Sequence, residues 1–164
     1  MLTWPDKIEI GATLPAQEVV LRALHYLETR SETEFQLLHN LDRDYRQAML
    51  NTDDRLLARV GVAAEMLQDK TVREARCSQR WLRCQVGAAV LASFMGCLTV
   101  WLLPDLWWFS LACFGLGVCS VWSAERLACK HGTLAVLNLA SKAVYALAFE
   151  ALVTRIQSER GSAG

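Results

Sequence analysis

Between Cys84 and Ala124 the chain carries one charge, Asp105. A soluble domain of 164 residues has no reason to gather its uncharged residues into one block of about forty. Two membrane spans placed back to back do. Gln85–Leu103 and Leu106–Ala124 are each about nineteen residues, which at about 1.5 Å per residue covers roughly the 30 Å of a hydrocarbon core. A buried hairpin in a soluble bundle is the competing fold, but a soluble core helix of that length ordinarily keeps a polar stripe.

The ends of the block are marked by tryptophan. Trp101, Trp107 and Trp108 cluster where the two segments meet, and Trp81 and Trp122 stand at the far ends. An indole has an apolar body and an N–H that needs a partner, so it favours the headgroup boundary. Pro104-Asp105 predicts the turn, because proline cannot continue the hydrogen-bond ladder and aspartate is costly in lipid. So short a connection implies an antiparallel hairpin with both ends of the chain on one side.

Charge decides which side. Arg73, Arg76, Arg80 and Arg83 recur at three, four and three residues, a spacing that puts them on one helical face just before the first span. Arg126 and Lys130 follow the second span, and the short turn holds no base. The positive-inside rule then places both termini in the cytoplasm. Orientation alone accounts for this basic stripe; binding of anionic lipid is a second use of it. Nucleic acid is not expected as a partner, since Asp69 and Glu74 dilute the patch and no nucleic-acid motif accompanies it. Residues 1–10 lack the apolar run of a cleavable signal, so the hairpin is expected to direct its own insertion. Arginine outnumbers lysine about three to one, which suggests a GC-rich bacterial source and hence the bacterial inner membrane.

Outside the block the pattern is that of amphipathic helices, so the fold class is all-α. Residues 1–83 read as cytoplasmic helices, 84–124 as the hairpin with its turn at 104–105, 125–158 as a further helix, and 159–164 as a disordered tail. After an irregular lead over residues 1–13, a first helix starts near Pro15 and runs to about Glu28, with Val20, Leu24 and Leu27 on one face. Ser31 and Glu34 match a capping box opening a second helix, which carries Phe35, Leu38, Leu41 and Tyr45 to about Leu50. Asn51 or Thr52 caps the third. In it Leu56, Val60, Ala63 and Leu67 repeat as a coiled-coil-like seam, and nothing stops that helix before the first span. The segment 132–157 admits two readings. It is a cytoplasmic or interfacial amphipathic helix with a thin polar stripe of Asn138, Ser141, Lys142 and Tyr145, or it is a third span. Lys142 near mid-membrane would cost about 2.5–3.5 kcal/mol, which favours the first.

The residues that carry chemistry are scattered. Cys77, Cys84, Cys97, Cys113, Cys119 and Cys129 form no C-x-x-C pair, so no metal site is expected and they read as small apolar residues. His25, His39 and His131 have no obvious carboxylate partner, and no phosphate loop or nucleophile elbow is present. The spans hold no ionisable residue for a proton relay. Catalysis is therefore not expected, and no cofactor is implied. What the spans do hold is small residues four apart: Ala89 and Ser93, Ala92 and Gly96, Cys113 and Gly117, Ser120 and Ala124. Such pairs let helices approach closely in lipid, within one hairpin or between copies. Ser93, Thr99, Ser110, Ser120 and Ser123 could line a polar path but form no continuous stripe. The expected partners are thus the bilayer and a second copy or another membrane protein. The expected role is a non-enzymatic, oligomerising membrane scaffold or accessory subunit, with a homo-oligomeric pore as the alternative.

The layout resembles the SLATT group of bacterial two-span proteins: a helical lead, a basic approach "REARCSQRWLRC", a short-turned hairpin and a long run after it, "WSAERLACKHGTLAVLNLASKAVYALAFEAL". The similarity is one of architecture and covers roughly residues 70–152. It implies a two-span hairpin and a role as a membrane-disrupting effector in defence. The longer amino-terminal helices depart from the simplest members of the group.

Overall fold

A computed structural model of the chain describes residues 15–102, 105 and 107–162. The irregular lead expected over residues 1–13 lies outside the described residues. The described residues form four helices: α1 (Ala16–Glu28), α2 (Glu32–Leu50), α3 (Asp54–Leu102) and α4 (Trp107–Ser162). There is no strand among them. They sort into two compact units, one drawn from residues up to 72 and from 133 onward, the other from residues 73–132.

The first unit is a helical bundle built from α1, α2, the start of α3 and the end of α4. Each helix commits one apolar face to a shared core. α1 contributes Val20, Ala23 and Leu27, and α2 contributes Leu38, Leu41, Tyr45 and Ala48. Leu57, Val60 and Ala64 come from α3, and Leu137, Ala140, Val144 and Ala148 from α4. Leu24 and Phe35 are only partly buried against it. The segment 132–157 is therefore no separate helix but the end of α4, with its apolar face in this core. Its polar stripe divides: Ser141 is buried and donates to the Asn138 carbonyl at 2.9 Å, while Lys142 is exposed.

Three local expectations need correction. Over residues 54–67 of α3 the buried positions are Leu57, Val60 and Ala64, with Leu56 and Leu67 half-buried and Ala63 exposed. The three-four spacing holds, but the seam sits one residue later than Leu56 and Ala63 suggested, because Ala63 and Ala64 look alike and cannot fix the register. The cap of α3 is Asp53, not Asn51 or Thr52. Its Oδ1 accepts from the backbone N–H of Arg55 at 3.0 Å and of Leu56 at 3.1 Å. Asn51 and Thr52 instead close α2: Thr52 has φ 54°, and the Asp53 N–H bonds the Ala48 carbonyl at 3.1 Å in a Schellman turn. Finally, the tail expected to be disordered from residue 159 stays helical to Ser162, with Arg160 in the last turn, where a cation suits the dipole.

The other ends follow the sequence closely. Pro15 stands just before α1, and its carbonyl accepts from the Glu18 N–H at 2.9 Å. Ser31 precedes α2 in extended conformation, yet its hydroxyl turns to the Glu34 carboxylate and its N–H bonds the Leu27 carbonyl, so the two side chains meet but neither backbone bond of the expected capping box is made. An exposed Arg155–Asp54 pair at 2.5 Å joins the end of α4 to the start of α3.

Candidate functional site

The second unit, residues 73–132, is an antiparallel pair formed by the end of α3 and the start of α4. Its contacts run in opposite chain directions. Ser110 Oγ donates to the Gly96 carbonyl at 3.0 Å, and at the other end Ser78 Oγ lies 3.3 Å from His131 Nδ1. Both helices present small residues to the seam. On α3 these include Ser78, Ala89, Gly96 and Thr99; on α4 they are Ser110, Cys113, Gly117 and Ala124, all buried. Along α4 the spacing is three, four and seven, a heptad period that keeps one stripe on the partner.

The backbones approach closely where side chains are absent. A Cβ placed on Gly96 would stand 3.3 Å from the Phe114 ring and 3.4 Å from Cys113 Cβ. One placed on Gly117 would meet Ser93 Oγ at 3.4 Å. Of the residues expected to pack helices together, Ala89, Gly96, Cys113 and Gly117 thus face one another within a single hairpin, with Ser93 at the margin of the seam. The sequence left open whether these faces serve one chain or several; here they are used inside one.

The hydroxyls are satisfied locally. Ser93 Oγ donates to the Ala89 carbonyl at 2.9 Å, Thr99 Oγ1 to Met95 at 2.7 Å and Ser123 Oγ to Ser120 at 3.1 Å. Each bond spends a donor on the backbone of its own helix, as hydroxyls do where water is scarce. The interior of this hairpin is a close-packed seam.

Its exterior is the reverse of a soluble protein's. Val90, Phe94, Leu116 and Val118 are 63–70% exposed, and Trp101 is 82% exposed. Large apolar side chains point outward, and the residues buried between the two helices are all small or hydroxylic. α3 and α4 are the two described helices long and apolar enough to cross a membrane. Trp81, Trp107, Trp108 and Trp122 are also exposed. Arg73, Arg76, Arg80 and Arg83 are all exposed, as are Arg126 and Lys130 on α4. Of the expected turn, Asp105 is exposed; Leu103, Pro104 and Leu106 lie outside the described residues.

Two contacts were not visible in the sequence. The Arg126 guanidinium stacks over the Trp122 ring at 3.9 Å, a pairing that the spacing of four makes possible on one helix face. The Ser78–His131 contact joins residues 53 apart, beyond any local pattern. Ser78 also donates to the Ala75 carbonyl at 3.0 Å, so its proton is committed to the helix and not poised for transfer. Of the other histidines, exposed His25 does have a carboxylate nearby, with Nδ1 at 3.9 Å from Glu28, and His39 stacks on Phe35. Five of the six cysteines are exposed and Cys113 is buried in the seam; all six are free. Among the described residues no three His, Cys, Asp or Glu side chains gather as metal ligands would. Comparison with known protein families, curated proteins and solved structures gives no match.

Proposed function

We propose that the chain is a non-enzymatic membrane protein whose hairpin crosses the bacterial inner membrane, with both termini cytoplasmic, and whose helical bundle serves as a scaffold or accessory subunit of a larger membrane assembly. The observation that carries this reading is the inverted burial of residues 73–132: Val118 is 70% exposed while Gly117 beside it is buried. In water that surface would cost about 25 cal/mol per Å² of apolar area; in lipid it costs nothing. The basic residues on both flanks and the lack of any at Asp105 support the orientation. No catalytic role is proposed, because the sequence joins no nucleophile, base and metal ligands in one motif.

The scaffold is preferred to the effector pore that the SLATT resemblance implies. A pore needs a polar face turned toward an aqueous lumen. In this hairpin Ser93, Thr99, Ser110 and Ser123 all donate to backbone carbonyls. A reporter active only outside the inner membrane, fused at the carboxy terminus, tests the topology. It should be silent, and strong activity would refute the two-span reading. Mass measurement of the purified protein tests the role: a defined ring of many copies that leaks ions from liposomes would favour the pore.

A further inference from the structure

The structure points to a specific headgroup site: we propose that Arg126 and Trp122 together bind the phosphate of an anionic phospholipid at the cytoplasmic boundary. This rests on the membrane reading above. The two residues are four apart on the outer face of α4, both exposed, with the guanidinium 3.9 Å over the indole. Their direction is what sets them apart from the arginines of α3. In a helix the Cα–Cβ bonds tilt toward the amino terminus. On α4 that direction is toward the apolar segment, since the chain is leaving it. Arg126 therefore leans back over Trp122, toward the uncharged surface of Val118 and Val121. On α3 the chain is entering the apolar segment, so Arg80 and Arg83 lean away from it.

The stacking also fixes the cation. A guanidinium lying on an indole has one face in π contact, while its N–H fork stays at the edge, where it matches the oxygens of a phosphate. The nearest carboxylate in sequence, Glu125, projects roughly 100° round the helix from Arg126. An anionic lipid suits the place on two counts: its phosphate meets the fork, and its acyl chains meet the exposed apolar face that begins at Trp122 and Val121.

The test uses the full chain in detergent micelles holding equal amounts of phosphatidylglycerol and phosphatidylcholine, with the lipid retained after gel filtration measured by class. The wild-type chain should retain phosphatidylglycerol in excess. Arg126→Gln should cut that preference about fivefold, the change equivalent to about 1 kcal/mol for one base near a membrane surface. Trp122→Leu, which alters no charge, should cut it roughly two- to fivefold. Arg73→Gln removes the same charge about 15 Å further along α3 than Arg83, beyond a Debye length of roughly 8 Å, and should change the preference less than about twofold. Wild-type preference in Trp122→Leu, equal losses in Arg73→Gln and Arg126→Gln, or no preference in the wild type would each overturn the site. Extraction from vesicles by alkaline carbonate separates the two proposals. A chain released by it refutes the membrane reading and the site together, whereas a chain that resists it and still shows no preference refutes the site alone.

Discussion

Thr52 holds a left-handed backbone, φ 54°, that a β-branched side chain resists. It does so because the turn from α2 to α3 must close over the Ala48 carbonyl and leave Asp53 to cap the next helix. Glycine relieves the strain but costs more chain entropy, so Thr52→Gly should raise stability by about 0.5–1 kcal/mol, and Thr52→Ala by less. Asp53→Ala should lower it by about 1 kcal/mol, since two backbone N–H groups lose their acceptor. Denaturant unfolding followed by helicity checks both. Tyr45 adds a pH term. Burial raises its pKa above the ordinary 10.0, with the nearby Glu150 and Asp42 carboxylates adding to the rise and Arg155 opposing it. The folded chain thus holds the phenolic proton to higher pH than the unfolded chain does, so this contribution is intact below pH 10.0 and is lost as pH rises through the folded-state pKa. Tyr45→Phe should remove that part of the alkaline decline, seen as a flatter loss of stability above pH 10.0 than in the wild type.

At the scale of elements, the hairpin is held by what its seam lacks. Gly96 leaves only 3.3 Å to the Phe114 ring for an added Cβ, and Ser110 crosses to the Gly96 carbonyl at 3.0 Å. Gly96→Leu should wedge α3 from α4. Gly117→Ala should be mild, as its Cβ would make ordinary contact with Ser93. Ser110→Ala should cost about 0.6 kcal/mol, the mean for such bonds within membrane bundles. Cross-linking between cysteines placed on the two helices would report the separation. These elements differ in how far the sequence reveals them. The helices themselves were legible: the starts after Pro15 and Ser31, the break after Leu50, and the absence of any stop between Asp54 and Leu102 all follow from caps, turn residues and periodicity. The small residues of the seam were legible too, but not the surface they meet, because a small face pairs equally well with its own chain or another. Register was the weakest part. Where Ala63 and Ala64 are adjacent, or Asn51, Thr52 and Asp53 are all cap formers, local chemistry is degenerate and the tertiary core decides. Ser78 with His131 lay beyond reach because they meet only after the hairpin closes.

For the whole molecule, the use of the small faces inside one hairpin changes what association between copies would require. Glycine and alanine faces that already meet within the chain leave mostly large side chains, such as Phe94, Leu116 and Val118, on the outside of residues 73–132. Such surfaces are well solvated by acyl chains and gain little from pairing in lipid. Any self-association should therefore depend on the helical bundle, whose α3 carries exposed Val62 and Met66 on the side away from Val60 and Ala64. Two variants separate these sources. Val62→Glu with Met66→Lys puts charge on that outer face without touching the core, so the bundle should keep its helicity. If copies associate through it, the mass of the purified protein should fall to that of the monomer, with insertion unaffected. Gly96→Leu with Gly117→Leu should instead loosen the hairpin while leaving the bundle's outer face intact, so any oligomer should persist. An oligomer that survives the first pair and dissolves with the second would mean that the hairpins, not the bundles, hold the copies together.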